Sequence, residues 1–196
     1  MTKTRRSTGE RRLEIIQATL CILHKQGVGQ LTMRQLAADV DLSEAAIYRH
    51  FSNKEDIMEQ VAAHVFRGPR AEETSPKRPA KERLREVMFG QLEALEENPH
   101  TTAVVFQEDI FREYPRVEGI FSAHRDAMVR RISSIVRQGQ QEGFVRRAAN
   151  PQVFAVIFIG TIRQLAAEWR ANDFKDSLKE RALPVFEELM RLLDIP

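Results

Sequence analysis

The chain has 196 residues, of which 42% are hydrophobic and 30% are charged, and its formal net charge at pH 7 is +2. This length can bury the core of one or two domains. The composition contains no apolar run long enough to span a membrane, and the polar, basic N-terminus lacks the apolar segment of a signal peptide. The single cysteine, Cys21, excludes an internal disulfide framework. We therefore expect a cytoplasmic globular protein.

Basic residues dominate the first dozen positions, where only Glu10 opposes them. A basic arm ahead of a DNA-binding motif is typical of contacts to the phosphate backbone or the minor groove, and we assign such contacts to Arg5 and Arg6. The alternative is a disordered tail that keeps the chain soluble. After this arm, an apolar stripe that includes Leu20 and Leu23 predicts a first helix from Thr8 or Gly9 to Gln26.

The segment from Thr32 to Lys54 predicts two short helices joined by a tight turn. Thr32 is a good N-cap for the first helix, and Asp41 tolerates the left-handed conformation that the turn needs. Ser43 then caps a second helix over residues 44–50, which starts with small alanines. A helix, a turn of three or four residues and a second helix form a helix-turn-helix, whose second helix enters the major groove of DNA.

The side chains of this segment have the chemistry of a DNA-binding surface. Arginine can contact a phosphate or a guanine edge, tyrosine and histidine can donate to phosphates, and helix N-terminal amides favour a phosphate. The residues that we expect to contact DNA are Arg5, Arg6, Thr32, Arg34, Ser43, Glu44, Ala45, Ala46, Tyr48, Arg49, His50 and Lys54. The alternative interpretation is an antiparallel helix pair whose charges are merely solvated.

The remaining chain predicts helices separated by short punctuated segments. A fourth helix over 54–67 connects to a Pro-rich linker over 68–79, which has nothing to bury. Further helices are predicted over 80–97, 101–111, 114–142, from 151 to about 171, and 174–193. Residues 153–159 taken alone also fit a buried strand, but the apolar pattern continues too far for one strand. We predict an all-α fold of about nine helices, with a DNA-binding domain over 1–53 and a second helical domain over 54–196.

The first third of the chain resembles the TetR/AcrR family of transcriptional regulators. The resemblance is carried by Ile-Ile-Gln-Ala from residue 15, Leu-Thr-Met-Arg-Gln-Leu-Ala from 31, Ser-Glu-Ala-Ala-Ile-Tyr-Arg-His-Phe from 43 and Lys-Glu-Asp-Ile from 54. Two positions depart from the family pattern, since Asp41 and Ala45 stand where glycines are usual. The string from residue 43 also resembles the nucleoid-occlusion branch of the family. The resemblance implies a bacterial, nucleoid-associated regulator, with repression as the family default.

The helix that begins at Pro151 is apolar nearly all round, which predicts that one of its faces is covered by a partner. This helix and the last helix can dock against the same two helices of a symmetric copy and form a four-helix bundle. The resemblance also implies a dimer interface at these helices. The expected interface residues are Phe154, Ile157, Thr161, Leu165, Leu178, Val185, Phe186 and Leu189. The alternative is a helix buried in the core of the monomer.

The resemblance further implies that the second domain binds a small-molecule effector. Aromatic and methionine side chains are suited to an apolar or amphipathic ligand, with His124 and Gln91 as polar contacts. The candidate residues are Met88, Phe89, Gln91, Phe106, Phe121, His124, Met128, Phe158 and Trp169. The alternative is that these side chains simply pack the core. No metal site is expected, because the five histidines show no i, i+3 or i, i+4 pairing. No cofactor is expected either.

We find no nucleotide-binding glycine loop, no zinc-protease motif and no nucleophile elbow, so the sequence does not indicate an enzyme. The expected function is a ligand-responsive repressor that binds a palindromic operator as a homodimer and is released by its effector. The alternative is a DNA-bound adaptor of the nucleoid-occlusion type, which recruits a protein partner through its helical domain.

Overall fold

The structure is a computed structural model that describes residues 7–66, 77–106, 110 and 113–193. Over these residues it contains nine α-helices and no strand, which confirms the predicted all-α fold. The helices are α1 (Thr8–Gln26), α2 (Met33–Asp39), α3 (Glu44–Tyr48), α4 (Lys54–Phe66), α5 (Ala80–Glu97), α6 (Thr102–Phe106), α7 (Pro115–Gln141), α8 (Pro151–Ala171) and α9 (Leu178–Leu193). No helix among the described residues is both long and apolar enough to cross a bilayer.

The chain divides into two compact units. Unit 1 is drawn from residues 1–67 and 100–121, and unit 2 from residues 68–99 and 122–196. This grouping differs from the contiguous boundary predicted between residues 53 and 54, because α4 and α6 both pack against α1. The long helix α7 supplies its residues up to Phe121 to unit 1 and those from Ser122 onward to unit 2.

Unit 1 is built around α1, whose ends are fixed by local hydrogen bonds. The Ser7 hydroxyl accepts from the Glu10 amide, and the Glu10 carboxylate accepts from the Ser7 amide at 2.7 Å, which together form a capping box. Gly27 ends the helix with a φ of 82°. The predicted bounds of this helix are confirmed. Between them, Ile15 and Leu23 are fully buried, while Cys21 is half-buried.

Unit 2 packs α5, α8 and α9 against one another. The α7 helix approaches the start of α5 closely at Gly139, where a Cβ atom would lie 3.2 Å from the Ala80 Cβ and 2.6 Å from the Val145 side chain. Only glycine fits this position without displacing its neighbours. At the start of α8, the Asn150 side chain accepts from the amides of Gln152 and Val153, as its N-cap position predicts.

Two predicted helix ends were wrong. The second helix of the helix-turn-helix ends at Tyr48 instead of His50, and the final helix begins at Leu178 instead of Phe174. The later start follows from the backbone, because Asp173 and Phe174 have φ values of 53° and 59° and cannot enter a right-handed helix. Residues 153–159 lie within α8, so the strand alternative is wrong as well. Most of the predicted linker, 68–76, and residues 107–109 and 111–112 of the predicted helix over 101–111 lie outside the described residues.

The start of α9 is capped by a carboxylate from another helix. Glu96 of α5 accepts from the Leu178 amide at 2.6 Å, the Lys179 amide at 3.3 Å and the Ser177 hydroxyl at 3.2 Å. A negative charge at a helix N-terminus is favourable, and these amides have no partner within their own helix. Glu96 therefore fastens α9 to α5.

We expect Glu96→Ala to destabilise unit 2 by about 1–3 kcal/mol, because it leaves these donors without their charged acceptor. The matched control is Glu97→Ala, since Glu97 is the exposed neighbour on the same helix and should change stability by less than about 0.5 kcal/mol. Chemical denaturation followed by Trp169 fluorescence measures both. Equal effects of the two substitutions would contradict the capping role.

Candidate nucleic-acid interface

The α2–α3 pair has the capping geometry of a helix-turn-helix. The Thr32 hydroxyl accepts from the Gln35 amide at 3.2 Å, and the Ser43 hydroxyl accepts from the Ala46 amide at 3.1 Å. Between the helices, Asp41 adopts a φ of 52°. This left-handed residue lets the chain reverse without a glycine, and it agrees with the tolerance expected of aspartate.

The positive φ at Asp41 predicts that β-branched residues are not tolerated at this position. Asp41→Val should destabilise unit 1 by about 1–2 kcal/mol, because a β-branched side chain is strained in the left-handed region. Asp39→Val is the matched control, since Asp39 is exposed at the end of α2 and helical. Thermal unfolding followed by circular dichroism should separate the two variants, and equal losses would show that the turn does not depend on this residue.

Two buried side chains and one arginine hold α3 in place. Ile47 is fully buried, and Phe51 just beyond the helix is 2% exposed. The Arg12 guanidinium lies 4.4 Å from the centroid of the Phe51 ring and also donates to the backbone carbonyl of His50. Arg12, which the sequence places in the basic arm, thus braces the recognition helix against α1.

The outer side of α3 is open to solvent. Tyr48 is 48% exposed and Arg49 is also exposed. The other predicted contact residues that are exposed are Thr32, Arg34, Ser43, Glu44 and Ala45. An exposed phenol and guanidinium on a short helix can donate to phosphates or to base edges.

Four of the predicted contacts are either less exposed or outside the described residues. Ala46 is only 6% exposed. Like the adjacent Ile47, it is buried in the core of unit 1. His50 is half-buried. Arg5 and Arg6 lie outside the described residues. Among the predicted contacts in the described part of the chain, Tyr48 and Arg49 are exposed at the C-terminal end of α3.

Lys54 at the start of α4 is already engaged by acidic and aromatic neighbours. Its ammonium group lies 3.3 Å from a Glu113 carboxylate oxygen and 5.6 Å from the centroid of the Tyr114 ring. Burial and the adjacent Glu113 raise the pKa of Tyr114, which donates its hydroxyl proton to that carboxylate at 2.8 Å. A phosphate would have to compete with Glu113 for Lys54.

Two family models match this chain. The model for bacterial regulatory proteins of the tetR family covers residues 15–61, which contain the helix-turn-helix, and the model for the tetracyclin repressor-like C-terminal domain covers residues 77–173. Together they account for well over half of the chain. The protein belongs to the TetR family. It is a DNA-binding transcriptional regulator and not an enzyme.

Individual TetR-family relatives are distant. The fatty acid metabolism regulator protein of Bacillus subtilis is 24% identical over 183 residues, which cover 91% of this chain and 93% of that protein. The nucleoid occlusion factor SlmA of Pasteurella multocida is 23% identical over 200 residues, covering 97% and 96%. The crystal structure of FadR from Bacillus subtilis in complex with stearoyl-CoA superimposes with a TM-score of 0.71 at 20% identity, covering 93% and 97% of the two chains. This structural likeness shows a shared fold.

The predicted effector residues are divided between the two units. Phe106 and Phe121 belong to unit 1, where Phe121 packs edge-on against Phe66 at 5.3 Å. The other candidates belong to unit 2, and three of them, Met88, Phe158 and Trp169, are at most 3% exposed. The Trp169 indole donates to the Asp176 carbonyl, which is the role of a satisfied core residue.

The remaining effector candidates lie in unit 2 at partly accessible positions. The Phe89 ring packs against Phe186 with centroids 5.8 Å apart. The Gln91 amide approaches the Met128 sulfur at 3.5 Å, and burial lowers the pKa of His124 on the same helix as Met128. Of this set, the structure therefore brings together Gln91 and Met128.

The predicted dimer residues also divide by burial. Leu178 and Phe186 are at most 2% exposed, because they pack inside unit 2 and cannot face a partner. The other buried or half-buried candidates are Phe154, Thr161, Leu165, Val185 and Leu189. Among the predicted interface residues, only Ile157 has an exposed side chain, at 51%. Two neighbours that were not predicted are at least as exposed, Val153 at 55% and Val156 at 63%. The exposed apolar face of α8 is formed by Val153, Val156 and Ile157.

Proposed function

We propose that this regulator is a repressor that binds a palindromic operator as a homodimer and releases it when a small apolar or amphipathic effector binds. The observation that carries the DNA-binding part is a pair of exposed donors: Tyr48 at the end of α3 and Arg49 directly after it. The opposite side of this capped helix is buried. Residues 1–53 would contact DNA and residues 54–196 would carry the effector and dimer functions. The protein would act in the bacterial cytoplasm, at the nucleoid.

The exposed apolar face of α8 supports the dimer. Its three side chains lie at i, i+3 and i+4 on one side of the helix, and apolar side chains exposed by more than half are costly without a partner. A helix-turn-helix protein commonly needs two recognition helices about 34–36 Å apart, which a two-fold dimer supplies.

Sedimentation at micromolar concentration tests this interface. Val156→Arg should convert the dimer to a monomer, because it places a charge in the centre of the apolar face. Leu13→Arg is the matched control, since Leu13 is 42% exposed in unit 1 and should leave the dimer intact. If the wild-type protein sediments as a monomer, the proposed dimer is wrong.

Linkage provides the mechanism of release. A ligand that favours a conformer with mis-spaced recognition helices must oppose DNA binding, and DNA must oppose the ligand equally. In unit 1, Arg116 at the start of α7 pairs with Glu59 of α4 at 3.2 Å. A change at this end of α7 would therefore act on α4, the helix that follows the DNA-binding segment.

The choice of an apolar or amphipathic effector is supported by the composition of unit 2 and by the relative that binds stearoyl-CoA. Selection of genomic fragments by the purified protein, followed by footprinting, tests the whole proposal. We expect protection of a few palindromic promoter sites, with release in a screen of lipophilic compounds. Failure to enrich any fragment would contradict the operator, and enrichment without release by any compound would contradict the effector.

The adaptor remains the second candidate, because the nucleoid occlusion factor aligns over nearly the whole chain. An adaptor that recruits a protein should bind many sites scattered over the chromosome and should not respond to small molecules. The same selection experiment therefore separates the two functions by the number of sites and by their response to lipophilic compounds.

A further inference from the structure

A polar stripe runs along α7 where it faces α5 in unit 2. His124, Arg131 and Gln138 repeat every seven residues, so they share one side of the helix. Gln138 accepts a hydrogen bond from Arg83 near the start of α5, and Met128 contacts Gln91 near its end. The two helices are therefore antiparallel, and Arg131 lies between these two contacts.

Arg131 is the unusual member of this stripe. Its Nη2 atom is buried and has no hydrogen-bond partner among the described residues. Burial lowers its pKa, and the neighbouring Arg83 lowers it further, while Glu86 acts in the opposite direction. A buried guanidinium nitrogen without an acceptor costs free energy, since its desolvation is not offset. In this conformation the Nη2 atom of Arg131 could therefore bind an anionic acceptor.

The nearby Glu86 carboxylate does not accept a hydrogen bond from this nitrogen. Glu86 is bound by Arg78, an ion pair within the described part of unit 2. Arg131 therefore shares the influence of Glu86 with Arg78, and the neighbouring Arg83 adds positive charge beside it. Positive charge around the unpaired Nη2 atom favours an anionic ligand.

The side-chain amide of Gln91 is a second hydrogen-bond donor, and its acceptor is weak. It lies at i+7 from the buried Leu84 and at i+3 from the buried Met88, within the apolar stripe of α5. Its partner among the described side chains is the Met128 thioether, which is a weak acceptor. An oxygen of a ligand would be a better acceptor for this amide.

We propose that the effector is an anionic amphiphile whose carboxylate or phosphate group binds Arg131, with Gln91 as a second donor and the half-buried Met128 side chain against its apolar part. Arginine suits this role because its planar guanidinium can donate two parallel hydrogen bonds to a carboxylate or phosphate. The inference rests on the proposed effector-binding function and adds the charge of the ligand and the residue that recognises it.

The test measures direct binding to the full-length protein without DNA. The probes are saturated fatty acids, their coenzyme A thioesters and the matching fatty alcohols, each below its micellar concentration, followed by calorimetry and by the fluorescence of Trp169, the only tryptophan. Fatty acids and thioesters distinguish a carboxylate from a phosphate source. Arg131→Met is compared with Arg130→Met, which removes the same charge from the adjacent exposed position.

We expect at least one anionic series to bind more tightly than its alcohols. Arg131→Met should weaken that binding roughly ten- to hundredfold, as for loss of a charge-assisted hydrogen bond, and leave the alcohols unchanged. Arg130→Met should bind every probe as the wild type does. Without probe, Arg131→Met should unfold at the same temperature as the wild type or a higher one, because it removes a buried guanidinium nitrogen that has no acceptor.

Equal binding of acids and alcohols, unchanged binding by Arg131→Met, or no binding of any anionic probe would each overturn the inference. None of these outcomes bears on operator recognition, which the fragment selection tests separately. Conversely, a protein that selects no DNA but binds anionic amphiphiles through Arg131 would retain the inferred site and lose the regulatory function.

Discussion

Replacement of Phe51 by alanine is expected to destabilise unit 1 by about 3–5 kcal/mol, which is the usual cost of removing a buried aromatic ring. Phe51 is 2% exposed and belongs to the same core as Ile15 and Ile57. The substitution also removes the ring beneath the Arg12 guanidinium, so it weakens the brace that holds α3 against α1. Denaturation by guanidinium, followed by far-ultraviolet circular dichroism, measures the loss.

The matched comparison is Leu13→Ala. Leu13 lies on α1 close to Arg12 in sequence but is 42% exposed, so its truncation should cost less than about 0.5 kcal/mol. A loss below about 1 kcal/mol for Phe51→Ala would mean that the ring is not part of the core. DNA affinity should fall in parallel with stability, because α3 loses its support while the proposed DNA contacts, Tyr48 and Arg49, are kept.

Tyr48→Ala and Arg49→Ala should each weaken operator binding by about 1–3 kcal/mol, equivalent to roughly 5- to 150-fold in the dissociation constant. Tyr48 at the end of α3 and Arg49 directly after it are both exposed, so truncating either side chain should leave the fold unchanged. If Arg49 contacts a phosphate, the dependence of affinity on salt should fall by about one unit of slope. Fluorescence anisotropy with a selected DNA fragment provides both quantities.

Arg137→Ala controls for the loss of charge. Arg137 is exposed on α7 in unit 2, so its removal lowers the net charge by the same amount without altering α3. Its affinity for the fragment should match that of the wild type. If both α3 variants also bound as the wild type does, the face of the helix assigned to DNA would be wrong.

Local chemistry made much of the fold predictable. The caps at Ser43 and Asn150 hydrogen-bond to amides only two or three residues away, so the residue type and its position suffice to place the helix starts. The left-handed turn at Asp41 was predictable for the same reason. At α3, the buried Ile47 and the exposed Tyr48 and Arg49 follow from helical periodicity alone.

The rest depends on neighbours that are distant in the chain. The partner of Lys54 is Glu113, 59 residues away. Apolar periodicity shows that Leu178 and Phe186 are buried, but it cannot show that their own unit buries them instead of a second copy. Arg131 precedes the buried Ile132 and resembles a solvated charge at the margin of an apolar stripe, so only its unpaired nitrogen in the structure indicates a function.

The half-buried Cys21 on α1 has a practical consequence, because it is the only thiol in the chain. A nitroxide attached there would report from the DNA-binding unit of the wild-type sequence. In a two-fold assembly the two labels would give a single interspin distance by pulsed electron resonance. Changes of that distance on adding DNA or a fatty acid would measure how far apart the two DNA-binding units are held in each state, with no engineered cysteine.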